Sequence, residues 1–81
     1  MKLPRDISGG ELSRMLKKYG YRVTRQTGSH IRLTSTIKGT EHHITIPRHS
    51  PLKVGTISSI LNEVTSYMEM DRKTITDELF R

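Results

Sequence analysis

Apolar side chains recur along this chain with two different periods, and each change of period marks a new element. Leu12, Met15, Leu16 and Tyr19 stand at i, i+3, i+4 and i+7, one stripe of a helix. Arg14, Lys17 and Lys18 lie off that stripe. Ser8-Gly9-Gly10-Glu11 has the form of a capping box, in which the Ser8 hydroxyl accepts from the Glu11 backbone N–H and the Glu11 carboxylate accepts from that of Ser8. Gly20 is placed as a left-handed stop, so helix 1 is expected over about residues 9–19.

The period then falls to two. Tyr21–Gln26, His30–Thr34 and Glu41–Ile46 alternate, with many β-formers, which predicts three strands. Thr27-Gly28-Ser29 and Lys38-Gly39-Thr40 separate them, with Gly28 the expected positive-φ residue of the first turn. Pro47 ends the third strand. Ile31 and Leu33 share one face of this antiparallel meander, as do Ile44 and Ile46, and Tyr21 and Val23 are assigned to it too. That face should pack on helices. The other should present His30, Arg32, Thr34, His43 and Thr45 to water.

The helical period returns with Val54, Ile57, Ile60, Leu61, Val64 and Met68, predicting helix 2 over about 54–67. Asp71 to Arg81 reads as a short third helix with Ile75 and Leu79 inward. The order is α-β-β-β-α with a short extra C-terminal helix. Helices on one face of a three-stranded antiparallel sheet make an α+β sandwich, the layout of double-stranded-RNA-binding domains.

Composition limits what such a module can do. Apolar residues are 32% of 81, with one Phe and no Trp, Ala or Cys. A domain of this size buries about 60% of its unfolded surface, too little for a deep cofactor cavity. Without Cys, neither a disulfide framework nor a thiolate metal site can form. No apolar run exceeds two residues, whereas a membrane span needs about 20. Met1 to Asp6 carries no signal-peptide core. One cytoplasmic domain over residues 1–81, with no membrane association, is the expectation.

Charge supplies the first pointer to a partner. Lys and Arg number 14 against 8 Asp and Glu, a net of +6. Residues 1–55 carry 11 and 3, a net of +8, and residues 56–81 carry 3 and 5, a net of −2. A polyanion surface is therefore expected in the first two thirds. Arg22, Arg25, Arg32, Lys38, Arg48 and Lys53 are candidate contacts to an RNA backbone, with His49 beside them in the loop. Gly55 and Thr56 open helix 2, where free backbone N–H groups can hold a phosphate. Four His fall within residues 30–49, yet His42 and His43 point to opposite faces and only Glu41 is near. No metal or other cofactor is expected. His42 shares parity with Ile44 and is read as partly buried, while His43 could neighbour His30 across the sheet.

Two blocks resemble a known family. Gly28-Ser29-His30, opening a second strand after a helix and a first strand, is similar to the motif of HicA-type toxins. Those are small mRNA interferases of HicA–HicB toxin–antitoxin modules. Ile46-Pro47-Arg48-His49, followed by Gly55-Thr56 and Ser59-Ile60-Leu61, resembles the same family. The likeness covers a core of about residues 8–65, leaving a C-terminal extension of about 66–81. It implies a double-stranded-RNA-binding-like fold, RNA cleavage without a metal, an essential histidine on the second strand, and an antitoxin that covers it. Carried over, His30 is the catalytic candidate and Gly28 and Ser29 complete its motif.

Metal-independent RNA cleavage commonly uses the RNA's own 2′-OH as nucleophile. It needs a base for that proton, an acid for the leaving 5′-oxygen and cations for the phosphate. Imidazole titrates near neutral pH and can serve as either; Arg32, on the same face, supplies charge. The expected function is a metal-independent endoribonuclease acting as a toxin on mRNA. A non-catalytic RNA-binding module of the same fold is the alternative, and a subunit meeting only an acidic protein is a third reading. The tail, with Leu79-Phe80, is a candidate core cap, homodimer surface or antitoxin surface.

Overall fold

A computed structural model describes residues 6–80. Met1–Arg5, within the stretch read above for a signal segment, and Arg81, the last residue of the predicted third helix, lie outside the described residues. The elements run α1 (Gly9–Met15), a 3-10 turn (Leu16–Tyr19), β1 (Arg22–Gln26), β2 (His30–Ser35), β3 (His42–Pro47), α2 (Val54–Met68) and α3 (Arg72–Phe80). This is the predicted α-β-β-β-α order with an extra C-terminal helix.

Local chemistry accounts for the boundaries. Ser8 Oγ accepts from the Glu11 N–H at 3.1 Å and Glu11 Oε1 accepts from the Ser8 N–H at 2.9 Å, so the capping box forms. Those bonds hold the Glu11 carboxyl below its ordinary range. Gly20, with φ of 82°, ends the helical stretch in the left-handed region. In the β2–β3 connection Gly39 takes a φ of 90°. Gly28 has no positive φ, contrary to expectation. The Thr27–His30 backbone pair, with Thr27 N–H donating to the His30 carbonyl at 2.9 Å, closes that turn without it.

The sheet is antiparallel in the order β1-β2-β3. Ile31, Leu33, Ile44 and Ile46 turn one face onto Leu12, Leu16 and Tyr19 and onto Ile57, Ile60, Leu61 and Val64 of α2. The alternation thus settled the inner faces of β2 and β3. Two positions depart from it. Val23 is 47% exposed, although Tyr21 is buried, because β1 is an edge strand and Val23 lies over an open groove instead of under a helix. Val54 is 50% exposed, since the first turn of α2 overhangs the core that Ile57 enters.

α3 docks on the rest through Ile75 and Leu79. Arg72 donates to Asn62 Oδ1 at 2.7 Å and to Ser58 Oγ at 2.9 Å, tying α3 to α2. The Tyr19 hydroxyl donates to Glu78 Oε1 at 2.6 Å. Burial, reinforced by that carboxylate, raises Tyr19 far above the usual phenol range, so it stays a donor. The tail therefore caps the core. Among the described residues no helix is long and apolar enough to cross a membrane.

Candidate functional site

His30 opens β2 and is exposed. The Ser29 hydroxyl meets its Nδ1 at 3.0 Å. Nε2 has no hydrogen bond or ion pair among the described residues. The backbone of His30 is held more firmly than its ring, because its N–H donates to Thr27 Oγ1 at 3.2 Å and its carbonyl accepts from the Thr27 N–H. The histidine is thus anchored by its main chain while its ring faces solvent.

The other sequence block comes to the same corner. His30 pairs with Pro47 across β2 and β3, and the Arg48 N–H donates to the Ser29 carbonyl at 2.9 Å. The loop is in turn fastened to the first helix, since the His49 carbonyl accepts from the Gly9 N–H at 3.0 Å. Gly9 is needed there, because a Cβ would run into the carbonyl of Pro47. So Gly28-Ser29-His30 and Pro47-Arg48-His49, some 17 residues apart in sequence, are locked side by side through backbone groups.

The family model for the HicA toxin of bacterial toxin-antitoxin matches residues 9–64. This chain belongs to the HicA toxin family. No curated protein and no solved structure matches it. Family membership makes the chain the toxin half of a toxin–antitoxin module, with an antitoxin as its partner. In this HicA-family chain the match runs from the first residue of α1 through most of α2, so it holds both motif blocks and omits α3.

The remaining predicted residues divide by position. Arg32 lies two places beyond His30 on β2 and is exposed. Arg25 stands directly opposite Arg32. The backbone of Arg48 is at the His30 corner, and Arg48 also lines a groove of about 270 Å³ with Arg14 and Lys17 on the helix side. His49 is exposed in the same loop. Lys53 is the N-cap residue of α2 and makes no side-chain cap. Gly55 and Thr56 follow in the first turn, and Gly55 faces open space. Lys38 is elsewhere, in the β2–β3 connection, with Nζ 3.8 Å from Glu69 Oε2.

Two expectations about the open face need correction. Thr34 is buried, not exposed to water, because Thr24 Oγ1 and His43 Nδ1 close over its hydroxyl at 2.8 Å each. His43 is not a neighbour of His30. It pairs with Thr34, four residues along β2, or ~13 Å at the usual strand rise. His42 is half-buried as parity suggested. Tyr21 Oη lies 2.7 Å from its Nδ1 and the Tyr67 ring stacks on it at 4.8 Å. Among the described residues no three His, Asp or Glu side chains gather as a metal cluster.

One feature of the candidate site was hidden from the sequence. The β1–β2 register slips between Val23 and Arg25, a bulge at Thr24. Strict alternation would send Arg25 to the same face as Val23. The extra residue returns it to the open face, beside Arg32 and Arg22.

Proposed function

We propose that this toxin is a metal-independent endoribonuclease that cuts mRNA at the His30 corner. The observation that carries the reading is a histidine with a fastened backbone, one hydrogen bond to its ring and a free Nε2, at the junction of the two motif blocks.

The RNA supplies the nucleophile. A base takes the 2′-OH proton as the 2′-oxygen attacks phosphorus. The P–O5′ bond breaks, and the 5′-oxygen leaves with a proton from an acid. One product ends in a 2′,3′-cyclic phosphate and the other in a 5′-OH. In this reading Nε2 of His30 exchanges a proton with the RNA, and a positioned acid or base is worth about 10²–10⁴-fold. Ser29 holds Nδ1 and so sets which nitrogen faces outward. Arg32, two residues along β2 on the same face, adds positive charge that draws the RNA backbone to the sheet. Arg48 and the N-terminus of α2, with Lys53, Gly55 and Thr56, give further contacts to the backbone. An antitoxin that laid carboxylates over this face would block His30 and neutralise its cations together.

The test is incubation of the protein with RNA in excess chelator, followed by analysis of the new ends. Cleavage leaving 2′,3′-cyclic phosphate is expected, and RNA carrying 2′-O-methyl groups should survive intact. Binding without any cleavage would favour a non-catalytic RNA-binding module. Cutting of the 2′-O-methyl RNA would overturn the mechanism.

A further inference from the structure

The open face holds a second concentration of charge that neither folding nor His30 accounts for. Arg25 and Arg32 stand directly opposite each other on β1 and β2. Like charges in that position destabilise a sheet. Among the described residues neither guanidinium has an ion-pair partner. The bulge at Thr24 is what puts Arg25 there, and bulges often re-aim side chains near working sites. With Arg22 these residues rim a depression of about 400 Å³. Its floor is closed by the hydrogen-bonded run Thr24–Thr34–His43. One carboxylate, Glu41, reaches the rim, and it is engaged 3.4 Å from His43 Nε2.

Three guanidiniums around a concavity, with no ion-pair partner among the described residues, match the fork geometry by which arginine binds phosphate oxygens. We propose that this depression is a phosphate site, which takes an RNA backbone phosphate away from the bond cut at His30 and so sets the register of the bound strand. The proposal rests on RNA being the substrate. β2 is the ruler, because Arg32 is two residues from His30, ~7 Å along the strand. Bound phosphate would also offset the Arg25–Arg32 repulsion. Contacts of this kind position a nucleic acid without selecting its sequence.

The test measures binding of a single-stranded 2′-O-methyl RNA oligonucleotide to the full chain over a range of salt. Each phosphate contact on a single strand adds about 0.7 to the slope of log K against log salt. The double substitution Arg25→Gln with Arg32→Gln removes that one contact and should lower the slope by ~0.7. Arg25→Lys with Arg32→Lys should keep it, and Lys73→Gln on α3 should not change it. An unchanged slope in the glutamine variant overturns the proposal. So does a variant that loses affinity for the antitoxin while its RNA slope is intact, because the arginines would then serve a protein contact. The probe carries no free 2′-OH, so the result is independent of cleavage. The expected slope change in a protein that cuts no ordinary RNA would support the phosphate site and sink the nuclease reading alone.

Discussion

At one end of the sheet His42 is held on several sides. The Tyr67 ring stacks on it, Tyr21 Oη bonds its Nδ1, and it is half-buried. Burial raises the Tyr21 hydroxyl far above the usual phenol range, so it stays protonated beside His42 Nδ1. Tyr67 in turn accepts from the Lys38 N–H and donates to the Thr40 carbonyl, fastening the β2–β3 connection. At the other end His30 stands in water with Ser29 alone on its ring. Stability explains the first histidine completely. It does not explain the second, because an exposed ring with one hydrogen bond adds little to folding. The difference separates a histidine that the fold uses from one that the fold merely presents.

Substitutions can break or sharpen that contrast. His30→Ala should reduce RNA cleavage about 10²–10⁴-fold while leaving stability within about 0.5 kcal/mol, as surface changes usually do. Thermal melting and a cleavage time course on one sample read both quantities. Gly9→Ala should cost about 1–3 kcal/mol, as overpacking does. It pushes on the Pro47 carbonyl beside the His30 corner, so cleavage below the melting transition should fall as well. His42→Ala should cost about 1–3 kcal/mol by stranding the buried Tyr21 hydroxyl, and the protein that remains folded should cut RNA normally.

The smallest effect belongs to the first helix. Ser8→Ala removes the cap and should cost about 1 kcal/mol. Its pH dependence has a definite sign. The folded carboxyl of Glu11 titrates below its ordinary value of 4.5, so the capping box stabilises fully above that pH and fades as the pH falls through the lowered value. The gap in melting temperature between wild type and Ser8→Ala should therefore shrink below pH 4.5. A constant gap would mean that Glu11 takes no part.

Much of the fold could be read from periodicity because each signal was local. The Ser8–Glu11 box, the Gly20 stop and the pairs Ile31/Leu33 and Ile44/Ile46 depend on neighbours a few places away. What escaped depends on contacts between elements. The bulge at Thr24 leaves no mark in the β1 pattern, yet it moves Arg25 across the sheet and leaves Val23 over a groove. The spacing of His30 from His43 follows from the β2–β3 register, which no alternation can reveal. Nothing in the α2 stripe marks Tyr67, whose ring stacks on His42 across the fold. The His30 corner was legible as two motif blocks, whereas the backbone bonds from Arg48 to Ser29 and from Gly9 to His49 that join them were not.

The most direct measurement compares cleavage of one RNA by His30→Ala and His42→Ala well below both melting transitions. Loss in His30→Ala with near wild-type cutting by His42→Ala is the predicted result. Full activity in folded His30→Ala would contradict the assignment of the reaction to that corner.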